Sequence, residues 1–167
     1  MTQSWDRIYT PHRLEYLRGA NVSDDCPFCA APELNGSDTL DLVAHRGQLA
    51  YVVLNLYPYN AGHLLICPYR HVADYTELTD AERDEIARLT QESMHTLRAI
   101  SGAQGFNLGM NQGSISGAGI AAHLHQHVVP RWGGDANFMP IIGETKVLPQ
   151  LLTQTRDLLQ EGWISSH

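Results

Sequence analysis

The stretch AAHLHQHVVPRW, residues 121–132, places three histidines, His123, His125 and His127, at every second position. On an extended strand that period puts all three imidazoles on one face, with Leu124, Gln126 and Val128 on the other. Neighbouring rings on such a face stand roughly 6.5–7 Å apart at the backbone. A lone histidine is usually a solvated or packed residue, but three in register, interleaved with apolar residues and followed by Pro130 and Arg131, form a pattern that needs a use. Two chemistries fit. An HxH pair on a strand can chelate zinc. Alternatively, a neutral imidazole can attack phosphorus near pH 7 and leave again, given a neighbour that fixes its tautomer and donors for the phosphoryl oxygens.

The flanking chain gives these histidines a scaffold. LAYVVLNLY (49–57) and HLLICPY (63–69) read as strands joined by the turn PYNAG, whose Pro58, Asn60 and Gly62 suit a hairpin. LTDAERDEIARLTQESMHTLRAISG (78–102) reads as a long helix. Thr79 and Glu82 form its capping box, Ile86, Leu89, Ser93, Leu97 and Ile100 recur on one face, and Gly102 ends it. GFNLGMN (105–111) is a strand, QGSISGAG (112–119) a loop, and residues 122–129 a further strand. VLPQLLTQTRDLLQEGW closes the chain as an amphipathic helix with Leu148, Leu151, Leu152, Thr155 and Leu159 on one side. A short helix is expected at TPHRLEYLRG (10–19) and a turn at NGSD (35–38). With no regular βαβ alternation, these elements predict an α+β domain with an antiparallel sheet.

A chain of 167 residues, 43% hydrophobic and 17% charged, is one domain's worth of ordinary globular sequence. Its net charge of −7 argues against a nucleic-acid partner, which would require phosphate-neutralising Lys and Arg. Lys146 is the sole lysine, and no P-loop string occurs. No apolar run approaches the ~20 residues that span a bilayer, and the opening MTQSWDRIYTPHRLEY has charges and Pro11 where a signal peptide has an apolar block. No membrane partner and a cytoplasmic location are therefore expected. Three cysteines argue against a disulfide framework, and Cys67, inside an apolar run, reads as a small buried hydrophobe.

The string HLHQHVV resembles the signature of the histidine triad (HIT) nucleotide-binding family. VVLNLYPYNAGHLLICPYRH (52–71) is similar to the family's strand–turn–strand, and FNLGMNQGS with AGIAAHLHQHVVPRW to its phosphate region. TPHRLEYL and RWGGDANFMPIIGETKVLPQLL also resemble a narrower branch, the diadenosine tetraphosphate phosphorylases of actinobacteria. The resemblance implies a HIT-like fold with about five strands, one long helix and a C-terminal helix, usually as a homodimer. It divides the chain into an N-terminal extension (1–25), a CxxC segment (26–39), a HIT core (40–132) and a branch-specific tail with its helix (133–167).

It also implies roles. His125 is the nucleophile that forms a nucleotidyl-histidine, and His127 contacts the phosphate and assists the leaving group. Asn55 matches the ribose-binding position. Asn111 and the backbone of Gly117, Ala118 and Gly119 match the phosphate-binding segment, where glycine lets N–H groups close on oxygens. His63 is a supporting residue beside the cluster, which either orients the histidines or simply packs. Trp132 lies on a base or on a partner subunit, or anchors packing. Hydrolytic members carry Gln or Ser four residues before the first triad histidine. Here that position is Gly119, so a side-chain donor is missing and backbone donors must substitute.

Cys26 and Cys29 form a CxxC, which by itself serves redox or metal chemistry. Tetrahedral zinc needs two more N or S ligands, for which His71 and His123 are the candidates. Related branches, galactose-1-phosphate uridylyltransferases among them, pair an N-terminal CxxC with histidines at matching positions, which implies a structural zinc. A divalent cation accompanying the substrate is left open. The expected activity is nucleotidyl transfer: phosphorolysis of diadenosine tetraphosphate, an adenine dinucleoside polyphosphate, by orthophosphate to ATP and ADP. Two alternatives are a HIT hydrolase with water as acceptor and a non-catalytic nucleotide-binding module.

Overall fold

A computed structural model of the chain describes residues 26–34, 41–135 and 150–166. The helix expected at 10–19, the turn at 35–38 and Leu148 lie outside the described residues.

A single helical turn, α1 (Pro27–Ala30), begins the described chain and runs into a 3-10 turn, Ala31–Glu33. Strands β1 (Val43–Arg46), β2 (Ala50–Leu54) and β3 (Leu64–Pro68) follow. Next come the long helix α2 (Asp80–Ser101), strands β4 (Gly105–Met110) and β5 (Gln126–Arg131), and helix α3 (Leu152–Glu161). The five strands form one antiparallel sheet in the order β1-β2-β3-β5-β4. This is the predicted α+β architecture, with the 49–57 and 63–69 segments paired as a hairpin from Ala50↔Pro68 to Leu54↔Leu64.

Every residue of β2 and β3 is buried, as expected of apolar runs covered on both sides. One cover is α2. Thr79 accepts from Glu82 N while the Glu82 carboxylate accepts from Thr79 N, completing the capping box. Gly102 ends the helix at φ 64°, a conformation that disfavours residues with a Cβ. Ile86, Leu89 and Leu97 face the sheet, and Gln126 Nε2 donates to Thr90 Oγ1 at 2.7 Å. Gln126 and Val128 therefore mark the helix side of β5, and His127 and Val129 the opposite side.

Two expectations are corrected. Residues 122–129 were expected to be one strand, but β5 begins at Gln126, so only His127 of the three histidines lies on it. The β3–β5 ladder stops at Ile66↔Gln126. Two places further along β3, Pro68 has no N–H to contribute, and its carbonyl is occupied by His123 Nε2 at 2.9 Å. The terminal helix is shorter than expected. Leu151 is its N-cap and is 67% exposed, whereas Leu159 is fully buried. Tertiary contacts fix the helix instead: Arg156 Nη1 donates to Asp41 O at 2.6 Å and Gln160 Nε2 to Val43 O at 2.7 Å. Beyond it the Trp163 ring stacks on His45 at 4.4 Å, and the buried Glu92 carboxylate accepts from Arg88, Trp163 and Ser166.

Candidate active site

The face of the sheet turned away from α2 carries the histidines. In register, Val53 lies beside Leu65, Leu65 beside His127, and His127 beside Gly109. His63 stands just before β3 on the same face, and its carbonyl accepts from Asn55 N at 2.9 Å. The last β4–β5 pair is Met110↔Gln126, so one step further the chain positions are Asn111 and His125. The hairpin, the ladder and the loop after β4 thus deliver residues far apart in sequence to one end of the sheet.

The hydrogen bonds assign the tautomers. His125 Nδ1 lies 2.8 Å from the His123 carbonyl. A carbonyl only accepts, so Nδ1 carries the proton and Nε2 keeps its lone pair. Burial pushes the His125 imidazole below its ordinary pKa, with the carbonyl bond opposing in part, so the ring is neutral near pH 7. Its ring centroid is 5.0 Å from that of His127 and 4.9 Å from that of Phe28.

A second chain of bonds orients His127. Tyr59 N donates to His63 Nδ1 at 3.0 Å, so the His63 proton sits on Nε2. That nitrogen is 2.9 Å from His127 Nδ1, which must accept. His127 therefore carries its own proton on Nε2, as a donor. Tyr59 also lies nearly parallel over His127, centroids 5.7 Å apart. Asn55 Nδ2 reaches His63 Nδ1 at 3.3 Å while its Oδ1 accepts from Tyr57 N at 3.0 Å.

His123 turns elsewhere. With Nε2 donating to Pro68 O, its Nδ1 faces Cys26 Sγ at 3.4 Å and Cys29 Sγ at 3.6 Å. Cys29 Sγ is 3.3 Å from His71 Nδ1. The ligand atoms of Cys26, Cys29, His71 and His123 all lie within 4.8 Å of one another. Tetrahedral Zn–S and Zn–N bonds of about 2.3 and 2.05 Å set S and N about 3.6 Å apart, close to these values. The donor set and the carbonyl behind His123 Nε2 both suit a metal ion. Cys67 is fully buried and its thiol is pushed well above the ordinary range by that burial, in keeping with a packing role.

The remaining expected residues are less convergent. Asn111 is half-buried where β4 ends. Gly117, at φ 80°, and Gly119 are exposed in the loop after the 3-10 turn Ser114–Ser116, and Ala118 is half-buried. Trp132 follows the far end of β5, about 16 Å of strand from His127. Its indole N–H donates to Ser101 O at 2.9 Å and the ring packs against the core, so it is not gathered with the histidines within the chain. Two participants escaped the sequence reading. Tyr59 lies inside the turn PYNAG and Phe28 between the two cysteines of the CxxC, and neither was singled out, although an aromatic inside each motif was the visible signal.

A five-stranded antiparallel sheet with imidazoles of assigned tautomer at one end, flanked by a Cys/His cluster, defines a histidine-based candidate site in an α+β domain. The HIT domain family model matches residues 41–134. The chain belongs to the HIT domain family. It is 49% identical over 165 residues to the AP-4-A phosphorylase of Mycobacterium tuberculosis, spanning 94% of this chain and 84% of that protein. It is 33% identical over 93 residues to the bifunctional bis(5'-adenosyl)-triphosphatase/adenylylsulfatase FHIT of Arabidopsis thaliana, spanning 56% of this chain and 51% of that one. Among solved structures, the fold resembles a Zn-bound histidine triad family protein from Mycobacterium smegmatis (TM-score 0.65, 22% identity, 83% of this chain and 93% of that). It equally resembles a hypothetical histidine triad nucleotide-binding protein from Sulfolobus tokodaii (TM-score 0.66, 24% identity, 82% and 91%).

Proposed function

We propose that the chain is a nucleotidyltransferase that phosphorolyses diadenosine tetraphosphate through a nucleotidyl-histidine at His125. The observation that carries this reading is the His125 bond to the His123 carbonyl, which leaves Nε2 as a fixed, neutral nucleophile. The 49% identity to an AP-4-A phosphorylase supports the choice of substrate. In the first step His125 Nε2 attacks the α-phosphorus of one adenosine. The bond from that phosphorus to the bridging oxygen breaks, and ATP leaves as His127 Nε2–H stabilises the departing oxygen. In the second step an orthophosphate oxygen attacks the same phosphorus, the P–N electron pair returns to His125, and ADP departs. Two in-line displacements retain configuration at phosphorus. Catalysis on this scheme is positioning plus electrostatics, as in other phosphoryl transfers.

Asn55 holds a ribose hydroxyl, and Asn111 with the backbone at 117–119 receives phosphate oxygens. Cys26, Cys29, His71 and His123 hold zinc. The ion serves as a clamp that ties α1 to the sheet and contributes no group to the reaction. The expected assembly is a homodimer joined along β4. Among the described residues that strand pairs with β5 alone, so it is one edge of the sheet; it carries Leu108 49% exposed, and an apolar edge of this kind suits pairing with a second copy. Among the described residues no helix is long and apolar enough to cross a membrane, and this substrate class favours the cytoplasm.

Product analysis with diadenosine tetraphosphate tests the reading. ADP beside ATP is expected only when orthophosphate is supplied. AMP formed regardless of phosphate would make the chain a hydrolase, an outcome that the absence of a side chain at Gly119 leaves chemically open. A radiolabelled adenylate trapped on the protein should map to His125, and His125→Ala should lose the label while still binding nucleotide. Label on another residue defeats the scheme.

A further inference from the structure

The turn α1 is too short to stand alone, and none of its residues is buried. What it does hold is Phe28, between the two cysteines of the cluster. The Phe28 ring meets the edge of His123 at 5.6 Å, at an interplanar angle of 70°, and lies tilted against His125 at 4.9 Å. One aromatic ring therefore touches both a member of the Cys/His cluster and the nucleophile proposed above. The Phe28 backbone is pinned as well. Its carbonyl accepts from Tyr51 Oη at 2.5 Å, and Tyr51 is itself fully buried in β2.

The position of this ring matters because it is one of the contacts that restrain His125. Its Nδ1–H bond to His123 O fixes one edge. One ring face is bounded by His127 and another side by Phe28. An imidazole free to swing about χ2 would carry Nδ1 away from the His123 carbonyl, release the tautomer that this bond fixes, and put carbon where the Nε2 lone pair should react. Phe28 occupies the space such a swing requires. The same turn carries Cys26 and Cys29, whose sulfurs lie beside His71 and His123. Ligation of an ion there would hold the turn, and with it the phenyl ring, against the sheet.

We propose that Phe28 is a positioning residue for His125, keeping the imidazole in the orientation that its bond to His123 sets and passing on to it whether the Cys26–Cys29–His71–His123 cluster holds a metal ion. This rests on His125 being the nucleophile. In this scheme Phe28 acts by orienting His125 and not on the substrate, so its substitution should act on kcat and leave KM largely alone.

The experiment compares full-length wild type with Phe28→Ala and Phe28→Tyr, each assayed for bound zinc, for steady-state kinetics on diadenosine tetraphosphate, and for the ¹⁵N imidazole signals of His125. Phe28→Ala should retain zinc, lower kcat on the order of 10-fold or more with KM within about 3-fold, and turn the His125 signals from a single Nδ1–H form into an average of both tautomers. Phe28→Tyr, which keeps the ring, should restore most of kcat and the single form. Removing zinc from wild type with a chelator should produce the same averaging, and should add little in Phe28→Ala because both changes act through one contact. Wild-type kcat in Phe28→Ala, or a fall in kcat with unaltered His125 signals, overturns the proposal. Chelation and substitution effects that multiply independently overturn the link to the metal. If Phe28→Ala is too unstable to assay, Phe28→Leu replaces it and is held to the same outcomes. Failure of the underlying reading looks different: no adenylyl-enzyme forms even in wild type, while the imidazole signals still report on Phe28.

Discussion

His63 Nε2 sits 2.9 Å from His127 Nδ1, and the only proton arrangement consistent with Tyr59 N–H donating to His63 Nδ1 makes His127 a donor through Nε2. A buried side chain from the hairpin thereby sets the protonation of a residue 64 positions away. Such a relay matters only if a proton or hydrogen bond must be delivered to the leaving oxygen.

His63→Phe keeps an aromatic ring but removes the relay. We expect kcat for diadenosine tetraphosphate to fall roughly 100-fold, the scale of a lost general acid. An adenylate ester whose leaving group needs no proton should be affected far less. Equal losses on both substrates in steady-state assays would assign His63 to packing alone.

Cys26→Ser should abolish bound zinc, measured by elemental analysis of the purified protein, where wild type carries one ion per chain. Ligand loss should also lower the melting temperature, since metal binding at a site absent from the unfolded chain is folding free energy. A metal-free wild type of full stability refutes the assignment.

Glu82 links the helix cap to the segment after β3. Its carboxylate is held down to about 2, first by Arg70, whose Nε and Nη2 donate at 2.9 and 2.8 Å, and then by Thr79. A depressed carboxylate stabilises the fold above its unfolded value, and that contribution drains as the pH falls toward the folded one. Denaturant titrations should show stability dropping between about pH 4.5 and about pH 2. Glu82→Gln should be less stable than wild type at pH 7, and the difference should shrink toward pH 2. A constant difference would remove Glu82 from the acid response.

Leu108→Lys places a charge on the open sheet edge. Light scattering should report a dimer for wild type and a monomer for the variant. A dimer in both moves the interface away from β4.

Much of the architecture was legible because it is written in local patterns. The capping box of α2, its stripe from Ile86 to Leu97, the PYNAG hairpin and the apolar runs of β2 and β3 each depend on residues a few places apart. β1 was not located beforehand. Its four residues, VAHR, are too few to show a period, and the strand exists because β2 pairs with it through a register irregularity between Val43 and His45. Leu151 was misassigned for the converse reason. It continues the apolar pattern of α3, but the helix starts only after it and leaves it in solvent.

The period of two that marked the histidines reported their membership of one site without reporting its geometry. By itself the sequence determined which residue types were available: three imidazoles, a CxxC and a glycine-rich loop in one α+β domain. Tertiary structure alone decided how they divide. His123 turns to the cysteines because the carbonyl of Pro68 takes its Nε2, His125 keeps a free-standing lone pair because the His123 carbonyl takes its Nδ1, and His127 becomes a donor because His63 approaches from the hairpin. An imidazole's role depends on which of its nitrogens carries the proton. That is set by whichever acceptor or donor the fold brings within about 3 Å, a distance no spacing along the chain encodes.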